Sequence, residues 1–269
     1  MLIRIGLVLV LGLATVTSGF AQENAPQGVA APSVSQGLVP FSSDEGLARL
    51  SRSDARVNFP ALANQFEAEY VGALCGPASA AIVLNAVFGR DKDLPRDRSR
   101  FRPDDLKFVP SRIDVSVPRF TQDNVLDKGS KTRAEVFGAP IVIDGKETHD
   151  YGFQLRQLDA LLCANGAATR LVVVSADRDE AAIRSDLIDS LKRRGEYVIV
   201  NYQRKLVGQD GPPHISPLGA YDAGSDSFLV LDVNPSRADW TWVPAATLIK
   251  AMGTFDTVEN RGYIVVERR

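Results

Sequence analysis

The chain has 269 residues, with 31 Lys and Arg against 33 Asp and Glu, for a net charge of -2 at neutral pH. That balance excludes the strongly basic surface of a nucleic-acid or anionic-membrane binder. An apolar fraction of 45% excludes a chain too polar to fold, and the length suffices for one good-sized domain.

The N-terminus differs in kind from the rest. Arg4 carries the one positive charge of the first residues, Ile5 to Ala21 carries none, and Gly19 and Ala21 precede a cut before Gln22. This layout predicts a secretory signal peptide over 1–21. Residues 22–37, rich in Gln, Ala, Pro, Ser and Gly, then read as a disordered leader, and 38–269 as the folded domain. The expectation is export to the periplasm, with no membrane attachment after cleavage. An uncleaved anchor is the alternative, because the apolar stretch is nearly long enough to span.

Further along, "CGPASAAIVLNAVFG" predicts a helix over 76–88, with Pro77 in its first turn and Gly89 at its end. Residues 90–119 are charged and interrupted by proline, and read as a surface excursion. Helices follow over 151–164 and 178–194, the second closed by Gly195. Then the period changes: 196–202, 215–221, 227–233 and 262–267 are short β-branched or aromatic runs. "DAGSDS" marks a hairpin turn, and a short helix over 244–252 precedes the last strand. A helical first half and an antiparallel second half predict an α+β fold, with a helical N-terminal lobe and a sheet C-terminal lobe.

Chemistry-bearing residues are few. Cys75 and Cys163 are the two cysteines, and His149 and His214 the two histidines. A thiol at a helix start sees unpaired amides and the positive end of the macrodipole, which favour thiolate. Cys163, on the apolar helix over 151–164, reads as an inert buried thiol, and His149 as a solvated loop residue. An oxidising compartment permits a Cys75–Cys163 disulfide, the alternative to thiol chemistry. His214 opens a strand after "GQDGPP", and Asp232 sits in the apolar run "FLVLDV", where a carboxylate is costly unless paired. Capping a turn is its bland role. Together Cys75, His214 and Asp232 suggest a nucleophile, a proton carrier and an orienting carboxylate, at a papain-type spacing of about 130–150 residues from Cys to His.

The segments "ALCGPASAAIVLNAV", "RFTQDN", "YVIVNYQRK", "GQDGPPHISPLGAYD", "FLVLDV" and "RGYIVV" resemble phytochelatin synthases, in particular the short bacterial form without a cysteine-rich C-terminal domain. The resemblance runs from about Gly37 to the C-terminus. It implies a papain-like fold, a catalytic triad on Cys75, His214 and Asp232, and glutathione as the peptide substrate. It also implies that Asp256 and Arg261 hold the γ-glutamyl end, with Gly76 on the substrate side. Two departures stand out. The family's oxyanion glutamine falls on Glu69, with Gln65 one turn earlier as a substitute, and the acceptor-side motif is replaced by "NPSRADW".

The expected activity is therefore removal of glycine from glutathione through an acyl-enzyme, hydrolysis exceeding phytochelatin synthesis. Cadmium, zinc or copper would enter as thiolate complexes of the substrate, because no protein metal site is readable. A non-catalytic binder of thiol peptides or metal thiolates, and a papain-like hydrolase of another peptide, are the rival readings. The oligomeric state is open, a homodimer being one option.

Overall fold

The computed structural model describes residues 37–269 apart from Arg90, Ser130 and Ala176. The expected signal peptide (1–21) and all of the expected leader (22–37) except Gly37 lie outside the described residues. Helix α1 (Asp44–Arg52) starts at Ser43, whose hydroxyl accepts from the Gly46 amide, and α2 (Phe59–Asn64) follows. Next comes α3 (Cys75–Phe88), buried from Cys75 to Asn85. A helix apolar on all sides belongs inside the molecule, and α3 is the central one. It stops at Gly89, where a Cβ would lie 2.3 Å from the Asn85 carbonyl oxygen.

The stretch after α3 is mostly exposed. It holds a two-stranded pair, β2 (Arg96–Asp97) with β3 (Val117–Pro118), and the single turn α4 (Pro103–Leu106). Beyond it lie α5 (Arg133–Val136) and a small hairpin of β4 (Ile141–Ile143) and β5 (Lys146–Thr148). His149 follows in an exposed loop, its Nδ1 2.9 Å from the Gly138 carbonyl.

The remaining elements are α6 (Leu155–Ala164), β6 (Ala167–Val173), α7 (Glu180–Lys192), β7 (Tyr197–Tyr202), β8 (His214–Asp222), β9 (Ser227–Val230), β10 (Thr241–Pro244), α8 (Ala245–Met252) and β11 (Gly262–Arg268). Together with β1 (Val39–Pro40) they build a seven-stranded antiparallel sheet of order β1-β10-β9-β8-β7-β11-β6. Every residue of β7 is buried, as a strand covered on both faces requires. On one face Tyr197, Ile199, Ile215 and Ile264 pack against α3 and α6. On the other, Val198, Val200, Leu218 and Tyr263 pack against α7 and α8.

The α+β expectation agrees with this mixture of helix and antiparallel sheet. The division into a helical and a sheet lobe does not, because the two halves of the chain interleave. Strand β6 separates α6 from α7, and its alternation of half-buried and exposed residues gives the weak pattern of an edge. The helix expected over 151–164 begins only at Leu155, since Gly152 adopts φ +79°. Among the described residues, no helix is long and apolar enough to cross a membrane.

Candidate active site

Cys75 is the first residue of α3 and is 7% exposed. The Ser79 hydroxyl, one turn on, donates to the Ile215 carbonyl at 3.1 Å, tying the helix start to the strand residue next to His214. A loop through Gly208 and Gly211, both at positive φ, delivers His214 to the start of β8. Its Tyr202 partner on β7 stands edge-on to the imidazole, with ring centroids 6.1 Å apart.

Asp232 lies two residues past the end of β9, so the strand expected over 227–233 is shorter than its apolar run. The cause is a register shift between Leu218 and Ala220, next to Pro217, which has no amide to give to a ladder. Beyond the shift, the Leu231 amide bonds the Pro217 carbonyl at 2.9 Å and the Val233 amide reaches the Ser216 hydroxyl at 3.3 Å. Asp232 is thereby turned toward His214. His214 Nε2 lies 2.9 Å from Asp232 Oδ1, with the oxygen off the ring's N–H direction.

Asp232 has further partners. Arg204, 1% exposed, meets it with both terminal guanidinium nitrogens, at 2.6 and 2.9 Å. The Tyr202 hydroxyl donates at 3.3 Å and the Asn234 amide at 2.8 Å. Burial pushes the carboxyl up, but His214 and Arg204 outweigh it and hold it below its ordinary value. For His214, burial outweighs Asp232 and lowers the imidazole, which is therefore neutral near pH 7. Neither Arg204 nor Tyr202 was readable as part of a site. An arginine two residues past an apolar strand reads as a solvated residue, so no local signal marks it.

The thiol behaves differently from the sequence-based expectation. Burial first, and the Glu69 charge second, push Cys75 up to about 12, beyond what the backbone of Ile215 and Gly76 and the Arg204 charge offset. The resting group is a thiol, and its proton must leave as it attacks.

Glu69 has come to the same place. One carboxylate oxygen of Glu69, Cys75 Sγ and a ring nitrogen of His214 all lie within 4.8 Å of one another. The Glu69 amide bonds the Val233 carbonyl at 2.8 Å, and Gln122, fully buried, clamps the neighbouring backbone through Tyr70 N at 3.0 Å and Ala68 O at 2.8 Å. Asn234 Nδ2 donates to Glu69 Oε1, while Oε2 is buried without a partner. The two departures from the family pattern, Glu69 and "NPSRADW", thus touch each other. Burial raises Glu69 to about 7, the Asn234 bond partly countering it.

Gln65 is in the wrong place. Its Nε2 lies 3.8 Å from where a Cβ on Gly89 would stand, by the far end of α3, which as a 14-residue helix is about 21 Å long. It cannot substitute for Glu69. Helix α2, whose last residue Asn64 directly precedes Gln65, carries it away from the nucleophile.

Arg261 and Asp256 pair with each other at 3.0 Å, and Asn201 donates to Asp256 at 3.3 Å. Arg261 directly precedes Gly262, whose partner on β7 is Asn201, whose partner on β8 is Ile215. The pair therefore stands at the same sheet end as His214, about 10 Å away across two strand spacings. Arg261 is 4% exposed and its Nε is buried without a partner. Phe153 packs against the residue after the nucleophile: its Cβ lies 3.1 Å from where a Cβ on Gly76 would stand, and glycine is what lets the ring approach. Lys131, 2% exposed, holds that loop by bonding Asp150 Oδ2 at 2.9 Å and the Gly152 carbonyl at 2.7 Å. Thr257 reaches Asp150 from the Asp256 loop at 3.2 Å.

Both cysteines are free. Cys163 is half-buried rather than buried, its Sγ 3.0 Å from Thr169 Oγ1, because the apolar stripe of α6 is completed by Leu155, Leu158, Leu161 and Leu162.

A thiol at a helix start, beside a neutral imidazole backed by a carboxylate, is an arrangement suited to nucleophilic acyl transfer. A model of the phytochelatin synthase family matches residues 29–263, and the chain belongs to that family. It is 26% identical over 236 residues to glutathione gamma-glutamylcysteinyltransferase 1 of Lotus japonicus, covering 86% of this chain and 40% of that protein. The corresponding protein 1 of Triticum aestivum is 27% identical over 242 residues, covering 86% and 41%. Over a shorter stretch of 87 residues, identity to protein 3 of Lotus japonicus is 36%, covering 32% of this chain and 18% of the relative. The chain thus spans about two fifths or less of the length of these relatives.

Proposed function

We propose that this chain is a papain-like acyl-transfer enzyme acting on glutathione. The observation that carries the reading is the convergence of Cys75, His214 and Glu69 within 4.8 Å, with Asp232 2.9 Å behind the imidazole. Cys75 Sγ attacks the carbonyl carbon between cysteine and glycine, and its proton passes to His214. The C–N bond breaks, His214 protonates the leaving glycine amine, and a γ-glutamylcysteinyl thioester remains on Cys75. Water then releases γ-glutamylcysteine, or the amine of a second glutathione takes the acyl group to give phytochelatin. Hydrolysis dominates, because Asn234 and Glu69 occupy what the family uses as acceptor side and oxyanion donor. Cadmium, zinc or copper takes part as a thiolate complex of the substrate. Export to the periplasm, from the first 21 residues, belongs to the same proposal.

Brief mixing with glutathione, acid quench and intact mass should reveal a γ-glutamylcysteinyl adduct that Cys75→Ser lacks. Absence of glycine release under reducing conditions would refute the enzymatic reading and favour a binding role.

Arg261 and Asp256 suit the γ-glutamyl end, which carries one carboxylate and one ammonium. An extended three-residue chain reaches about 10 Å, enough to join this pair to the nucleophile. Arg261→Ala and Asp256→Ala are expected to raise KM about tenfold, the worth of one charge-assisted hydrogen bond, with a smaller change in kcat. Unchanged KM with a lower kcat would contradict the binding role.

A further inference from the structure

We propose that Cys75, His214 and Glu69 form a divalent-metal site that closes the centre when no thiol substrate is present. Thiolate, imidazole and carboxylate are the donor set of zinc and its softer relatives. The three candidate atoms lie within 4.8 Å of one another. A tetrahedral zinc with bonds of about 2.0–2.3 Å needs its ligand atoms roughly 3.3–3.8 Å apart, so side-chain rotation of about an ångström completes the site.

The surroundings are those of a metal site. Asp232 stands 2.9 Å from His214 Nε2, which leaves Nδ1 to the ion, and a small turn of the ring onto the ion would align the Nε2 proton with this outer carboxylate. Asn234 donates to one oxygen of Glu69, while the other is buried and has no partner. Glutamine at position 69 would offer a neutral amide in place of this anion, so the site exists through the residue in which this chain departs from its family.

On binding, the ion forms bonds to sulfur, nitrogen and oxygen, and the Cys75 proton leaves to solvent. No electron transfer is involved. Three protein ligands leave a fourth position open, and a thiol chelator entering there can draw the ion out and free the nucleophile. The substrate class proposed above is itself such a chelator, so the ion is a lock opened by substrate. The site itself does not depend on any turnover.

The test uses the reduced, metal-stripped chain without substrate. Cobalt(II), as a spectroscopic stand-in, and zinc(II) are titrated in with absorbance and calorimetry. One equivalent is expected to bind, with a thiolate-to-cobalt charge-transfer band and the intense visible bands of tetrahedral cobalt. Cys75→Ser should abolish the charge-transfer band, and Glu69→Gln should weaken binding at least about tenfold. Cys163→Ser should change neither, and thermal melting establishes that each variant is folded. Absence of a thiolate band, a band lost with Cys163→Ser, or unweakened binding by Glu69→Gln overturns the site. Since no turnover is measured, an inactive protein that binds cobalt through Cys75 supports the site while counting against the proposed reaction.

Discussion

Glu69→Gln is expected to raise kcat for glutathione about tenfold at pH 8 and about 100-fold at pH 9, but less than twofold at pH 6, in chelator-treated enzyme. Removing one oxyanion donor costs about 10²–10³ in rate, so ionised Glu69, which can only accept hydrogen bonds, leaves the site nearly inactive. Its carboxyl titrates near pH 7, and the protonated acid can donate from the oxygen that Asn234 does not occupy. Wild-type activity therefore follows the protonated fraction, about one tenth at pH 8 and one hundredth at pH 9. It rises as pH falls through 7, with His214 still neutral because burial has lowered it. Glutamine donates at every pH, so the variant loses this limb of the profile. It also removes the charge that helps to raise Cys75, which acts in the same direction. Parallel pH profiles for the two enzymes would show that Glu69 lies beside the reaction rather than in it.

The second large effect is at Arg204. Removing one member of a buried ion pair strands the other, at a cost of about 3–5 kcal/mol. Arg204 and Asp232 are each 1% exposed, so Arg204→Met should lower unfolding stability by roughly that amount. Activity should fall as well, since Asp232 would lose the contacts that hold it toward His214. Asp232→Asn on the Arg204→Met background removes the stranded charge and should recover much of the stability but none of the activity. Denaturant unfolding of the two single variants and the double variant measures the coupling. A wild-type midpoint for Arg204→Met would mean that the pair contributes nothing.

Much of the fold was legible because burial imposes a readable pattern. β7 is apolar apart from Asn201, and "DAGSDS" has the residues a tight turn needs, so both were found. β6 was missed because an edge strand carries Arg170 and half-exposed positions that blur the alternation. For the site, Cys75, His214 and Asp232 were legible from rarity and chemistry: few cysteines and histidines, and one carboxylate in an apolar run. Gln65 was misplaced because one helical turn in sequence says nothing about which end of α3 a neighbouring helix meets. Arg204 and Lys131 were invisible for a related reason. A cation reads as solvated until the fold encloses it, and only the tertiary structure supplied Asp232 and Asp150. The contact between Glu69 and Asn234 joins positions 165 residues apart, which no local pattern expresses.

The hairpin of β8 and β9 also orders the assembly of the site in time. His214 and Asp232 are 18 residues apart in the chain, and Cys75 precedes His214 by 139. Closing the longer loop costs about 1.8 kcal/mol more in chain entropy, and a local hairpin forms within microseconds. During folding, the imidazole and its carboxylate therefore meet first, as one local unit. The nucleophile arrives only when α3 docks on the finished strands, through Ser79 and Ile215. Until that docking, Cys75 is an ordinary solvent-exposed cysteine, open to oxidants and without a base to take its proton. The step that buries the thiol is thus also the step that creates the site, and a newly made chain is chemically most vulnerable just before it becomes competent.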